Sequence, residues 1–125
     1  MSSLRPDGTP APNSPVLVLV RDLIFASRIT STARAVGVEV KLLRDATKLA
    51  AEVGRRLIVD LNQSDALEAA VEWKRLGGAN AREVIGYVAH VDVATIRRAR
   101  DAGIDRVLPR SRFVVELESL LRAES

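Results

Sequence analysis

Two unbroken apolar runs constrain this chain more than any other feature. Val16-Leu17-Val18-Leu19-Val20 and Leu57-Ile58-Val59 carry no polar residue at alternate positions. A strand with one wetted face alternates; a run that does not is buried on both faces, as in the middle of a parallel sheet. The second run passes directly into Asp60, followed by Leu61-Asn62-Gln63-Ser64-Asp65. Asp60 therefore stands at the carboxyl end of a central strand, where ligands gather in open α/β sheets.

The rest of the chain supplies the matching parts. From Leu23 to Val36 the apolar positions Ala26, Ile29, Ala33 and Val36 recur at helical spacing, with Gly37 as the C-terminal stop. Val38, Val40 and Leu42 alternate with Glu39 and Lys41, which predicts a strand at the sheet edge. A shorter helix is expected over 45–53, ending at Gly54. Asp65 and Glu68 resemble a capping pair for a helix of Ala66, Ala69, Ala70, Trp73 and Leu76, ending at Gly77-Gly78. Trp73 is expected at a helix–sheet seam, an exposed binding role being the alternative. Val84 to Val88 reads as a fourth strand, Asp92 as the cap of a helix reaching Ala102, and Ile104 to Leu108 as a fifth strand. Ser111 opens a last helix with Phe113, Leu117, Leu120 and Leu121 inward.

Strand and helix thus alternate five times, and right-handed crossovers cover both faces of a parallel sheet. With 38–42 at an edge, the pattern predicts an α/β, flavodoxin-like (βα)5 three-layer sandwich with parallel order 2-1-3-4-5. Asp22 and Asp60 then face each other across one crevice. Residues 1–14, with three of the five prolines, are expected to form a flexible N-terminal tail, and 15–125 the folded domain.

Composition removes several kinds of chemistry. Without cysteine there is no disulfide framework and no cysteine-type metal centre, and a single histidine, His90, argues against a histidine metal centre or a Ser/His/Asp triad. The net charge of +3 from 19 basic and 16 acidic residues falls short of a dedicated nucleic-acid binder. No run approaches the roughly 18 apolar residues of a membrane span, and Met1-Ser2-Ser3-Leu4-Arg5-Pro6 lacks a signal-peptide core; a cytoplasmic protein is expected. No G-x-G-x-x-G follows the first strand, and no P-loop is present.

Across 16–122 the chain resembles the receiver domain of two-component response regulators. In that likeness Asp60, within Leu57-Ile58-Val59-Asp60-Leu61-Asn62, corresponds to the phosphoacceptor. The family's acidic pair after strand one reads Arg21-Asp22, its hydroxyl after strand four reads Val88-Ala89-His90, and its lysine after strand five reads Leu108-Pro109-Arg110-Ser111. Ala102-Gly103 resembles the family's ending before strand five. Phosphoryl transfer to a carboxylate needs charge neutralisation, usually by a divalent cation and a basic side chain. Magnesium demands near-octahedral oxygen ligands, and Arg21 removes one while adding a fixed positive charge.

The resemblance with these departures implies an atypical pseudo-receiver, a stand-alone protein–protein interaction module in signal transduction, not an enzyme, with no cofactor. Arg21 or Arg110 is expected to pair directly with Asp60 and Asp22. One alternative is phosphorylation of Asp60 by a histidine kinase, with magnesium held weakly by Asp22, Asp60 and a carbonyl near Asn62; an unrelated ligand is another. Ala89 marks the degenerate switch position, and His90 is either a titrating switch or a solvated loop residue. Arg97, Arg98, Arg100, Arg106 and Arg112 form one basic face. Its expected role is docking a protein partner or a second copy of the chain; a solvated face and nucleic-acid binding are the alternatives, the last without the aromatic interleaving it favours.

Overall fold

The computed structural model describes residues 15–78, 81–89 and 92–122; the expected tail, 1–14, and His90 lie outside them. Five strands form one sheet: β1 (Val16–Leu19), β2 (Val40–Leu43), β3 (Arg56–Asp60), β4 (Glu83–Val88) and β5 (Arg106–Pro109). Their order is β2-β1-β3-β4-β5, and every neighbouring pair is parallel. The helices are α1 (Leu23–Ala35), α2 (Ala66–Gly77), α3 (Val93–Asp101) and α4 (Arg110–Arg122), with a 3-10 helix at Ala46–Ala51. The flavodoxin-like architecture expected from the two apolar runs is the one observed.

Strand pleating divides the core. Leu17, Leu19, Leu57, Val59, Val84 and Val88 meet Leu49 of the 3-10 helix, Ala66, Ala70 and Trp73 of α2, and Ala99 of α3. Val16, Val18, Ile58, Ile85 and Tyr87 meet Phe25, Ala26 and Ile29 of α1 with Phe113, Leu117 and Leu120 of α4 on the opposite face. Each fully buried aliphatic or aromatic side chain contributes on the order of 1.5–3 kcal/mol. An unbroken run such as β1 feeds both layers at once, which is why it shows no alternation.

Three local expectations are corrected. The segment 45–53 is not an α-helix: Asp45 accepts a hydrogen bond from the Thr47 N–H, and the six residues that follow bury only Leu49 and close as a 3-10 turn. So short a stretch has no second apolar turn to hold an α-helical stripe on the sheet. Asp65 precedes α2 in a left-handed conformation, φ 66°, and its side chain makes no cap hydrogen bond; the loop ahead of it is anchored elsewhere, as described below. At the sheet edge, Val38, just ahead of β2, and Val40 pack against the α1 side, whereas Leu42 stays 43% exposed and Leu43 is buried on the other face.

Trp73 is fully buried; its indole N–H donates to the Glu52 carbonyl at 3.1 Å and its ring lies under the Arg82 guanidinium. The seam position is therefore the observed one, and an exposed binding role is excluded. Among the described residues no helix is long and apolar enough to cross a membrane.

Candidate functional site

The crevice opens where β1 and β3 end side by side. Asp22 closes β1 and starts α1 as its N-cap: Oδ1 accepts the N–H groups of Ile24 at 3.0 Å and Phe25 at 3.1 Å. These donors belong to the first turn, which has no intrahelical acceptors for them. The other oxygen, Oδ2, lies 3.6 Å from Nη2 of Arg110, the first residue of α4. The same guanidinium sits over the Phe25 ring, 4.2 Å from its centroid. Phe25, Tyr87 and Phe113 cluster beneath, with centroids 4.8–5.8 Å apart. Three of the chain's four aromatic residues are thus gathered into the floor of this crevice. Arg110 is held by two weak contacts, an exposed ion pair worth about 0–1 kcal/mol and a cation–π contact of about 0.5–2 kcal/mol.

Asp60 is half-buried at the end of β3, directly beside Tyr87 in the sheet register. Its Oδ1 accepts the Asn62 N–H at 2.9 Å. Among the described residues no cation lies within ion-pair distance of it. Burial pushes its carboxyl above the ordinary range; the Asn62 N–H and the nearby charge of Arg110 oppose that push, and Asp22 adds to it. Burial, with Asp60 adding to it, likewise pushes the Tyr87 phenol upward.

The loop after Asp60 is tied to the strands on either side of β3. The Leu61 N–H donates to the Tyr87 carbonyl of β4 at 2.9 Å, and the Gln63 side-chain amide donates to the Leu19 carbonyl of β1 at 3.0 Å. The Asn62 side-chain carbonyl accepts the N–H of Ala89, just past β4. Leu61 itself lies against Gly86, where a β-carbon would collide with it. These anchors set the path of 61–65 and explain why Asp65 enters α2 without capping it.

Two of the expected pairings are corrected. Arg21 is exposed and makes no ion pair with Asp22 or Asp60. Its charge instead reaches Asp45, whose carboxyl is held low chiefly by hydrogen bonds from Thr47. Successive side chains of extended backbone diverge, so while Asp22 turns inward to cap α1, its neighbour is directed toward β2. Arg110 pairs with Asp22, not with Asp60. Ala89, at the degenerate switch position, takes part through its backbone N–H alone.

A magnesium ion fits this donor set poorly. Among the described residues no three carboxylate, histidine or cysteine groups come together. Asp22 has one oxygen given to the α1 cap and the other facing a guanidinium. That leaves Asp60 and the backbone near Asn62 as protein donors, so an ion there would draw the rest of its octahedron from water.

The basic face divides into two parts. Arg106 and Arg112 both bind Glu116 of α4, one through each carboxylate oxygen. Arg97, Arg98 and Arg100 of α3 are exposed, and no carboxylate among the described residues lies within ion-pair distance of them. Beside α3 runs a polar cleft of about 360 Å³ lined by Asn62, Asp65, Glu68, Asp92 and Arg98 among others.

Sequence reasoning missed the cap role of Asp22, although an aspartate immediately before a helical pattern is a standard start signal. It also missed the Gln63 and Asn62 anchors and the aromatic floor, which carry no signal in local spacing.

No protein-family model matches the sequence, and no curated protein does. Solved structures match in fold. A response regulator from Burkholderia pseudomallei, with a phosphorylated aspartic acid, calcium ion and citrate, superposes with a TM-score of 0.71 at 20% identity, covering 88% of this chain and 67% of that one. The signal receiver domain of an HD domain-containing protein from Pseudomonas fluorescens gives 0.70 at 16%, covering 87% and 94%. A CheY-like receiver domain from Methanospirillum hungatei gives 0.66 at 14%, covering 86% and 98%. At such identities the likeness is one of fold: the structural neighbours are response regulator receiver domains.

Proposed function

We propose that this chain is a receiver-fold signalling module that works in the cytoplasm by docking a protein partner, without a metal ion and without phosphorylation of Asp60. The observation that carries this reading is the commitment of Asp22. Its carboxylate caps α1 and faces the Arg110 guanidinium, so the second acid of a metal site is already engaged by the fold. Arg21 supplies no oxygen, and the position after β4 where a receiver carries a hydroxyl is Ala89. The α3 arginines, Arg97, Arg98 and Arg100, are the proposed docking face, for a signalling protein or a second copy of the chain.

A specific observation favours a second reading, in which a histidine kinase phosphorylates Asp60. The Asp60 carboxylate accepts one backbone N–H and is paired with no cation among the described residues, so an oxygen remains for attack on a phosphoryl group. One experiment separates the two. Protein incubated with acetyl phosphate and magnesium and weighed intact is expected to show no adduct. A single phosphoryl adduct that disappears in Asp60→Asn sinks the first reading and shows the acceptor chemistry that the second requires.

A further inference from the structure

We propose that the docking element of this protein is α3, and that its partner is an acidic polypeptide segment. The inference rests on the docking part of the reading above and not on the state of Asp60. It begins with the pairing of charges. Arg112 and Arg106 share Glu116, and together hold that carboxyl below its ordinary range; each already has a carboxylate contact within the fold, and the trio keeps one net positive charge. Arg97, Arg98 and Arg100 have no such partner among the described residues.

The helix carrying them is barely used by the core. Of its nine residues only Ala99 is buried, with Thr95 and Ile96 half-covered. Val93, Arg97 and Arg100 are spaced by four and three, so they lie on one stripe. Val93, at the head of that stripe, is 66% exposed. The stripe therefore offers one aliphatic contact followed by two guanidiniums, each able to take a carboxylate in bidentate fashion. Arg98 lies round the helix, on the lining of the adjoining cleft.

The same surroundings argue against a nucleic-acid strand. Asp65, Glu68 and Asp92 line the cleft on one flank, and Asp101 closes the helix. A continuous phosphate backbone crossing α3 would meet these carboxylates. A short peptide that places a few carboxylates over Arg97 and Arg100 and one aliphatic side chain over Val93 would not.

The test uses a short fluorescein-labelled peptide of glutamates around one leucine, titrated with the full chain by fluorescence anisotropy. Binding is expected, weakening as added salt screens exposed pairs. Arg97→Glu with Arg100→Glu is expected to weaken it by about tenfold or more, two exposed attractions having been turned into repulsions. Arg106→Gln with Arg112→Gln is expected to stay within about twofold of the parent. Circular dichroism confirms that both variants fold. Absence of salt-sensitive binding overturns the proposal, as does an equal loss in the Arg106/Arg112 variant. Displacement of the peptide by an oligonucleotide of matched charge at lower concentration also overturns it, assigning the face to nucleic acid. Repeating the titration after acetyl phosphate treatment keeps the two proposals apart, because an adduct on Asp60 bears on the first and leaves the peptide result standing.

Discussion

Asp60 carries a burial penalty that its surroundings offset only in part, and the direction of its shift makes that testable. A carboxyl whose folded pKa lies above its unfolded value binds protons more readily in the native state. Between those two values stability falls as pH rises, and above the folded value the whole penalty is present. Asp60→Asn keeps an acceptor for the Asn62 N–H and removes the charge. It is expected to stabilise the protein at neutral pH, with a gain that shrinks to nothing as pH falls below the ordinary carboxyl value of 3.8. Urea melts at several pH values measure it, and a variant less stable than the parent at neutral pH would refute the sign. Gly86 poses a steric question at the same scale. A β-carbon there meets Leu61, so Gly86→Ala is expected to cost about 1–3 kcal/mol by overpacking. In a Leu61→Ala background that cost is expected to fall toward zero, and equal costs in the two backgrounds would rule out the contact as the cause. Asp60 itself was legible in the sequence, because an apolar run ending in a carboxylate leaves few other readings. The whereabouts of the guanidiniums was not: Arg110 meets Asp22 across 88 residues of chain (110 less 22), a proximity that only the finished sheet creates.

At the level of elements, Asp22 does two jobs that substitution can separate. Asp22→Ala removes the α1 cap and the Arg110 pair, for an expected loss of about 0.5–2 kcal/mol from the cap and up to about 1 kcal/mol more from the exposed pair. Asp22→Asn keeps a capping oxygen and gives up only the charge, so it is expected to lose the smaller part. Guanidinium denaturation of the two variants checks this, and an asparagine variant as unstable as the alanine variant would place the stabilisation in the pair instead of the cap. Elements with a long apolar signal are legible in the sequence: β1, β3 and β4 from their runs, α1 and α4 from stripes buried in the structure. The failures sit where tertiary anchoring overrides local pattern. The stretch after Asp45 is too short to be held as an α-helix, and Asp65 is delivered to α2 by a loop that Asn62 and Gln63 have already fixed. The stops were plain, since Gly37 and Gly103 follow α1 and α3 at φ of 75° and 92°, where a side chain would be strained.

For the molecule as a whole, the two-sided burial of β1 has a bearing on synthesis. Its neighbours are β2 and β3, and β3 begins 40 residues after β1 does (56 less 16). A nascent chain emerging from the ribosome amino end first must carry a bare aliphatic ribbon through all of that interval, with β2 offering cover on one edge alone. Ribosome-stalled chains ending before β3 are expected to retain a holdase chaperone on β1 that chains ending after β3 release, and equal retention by both would refute this.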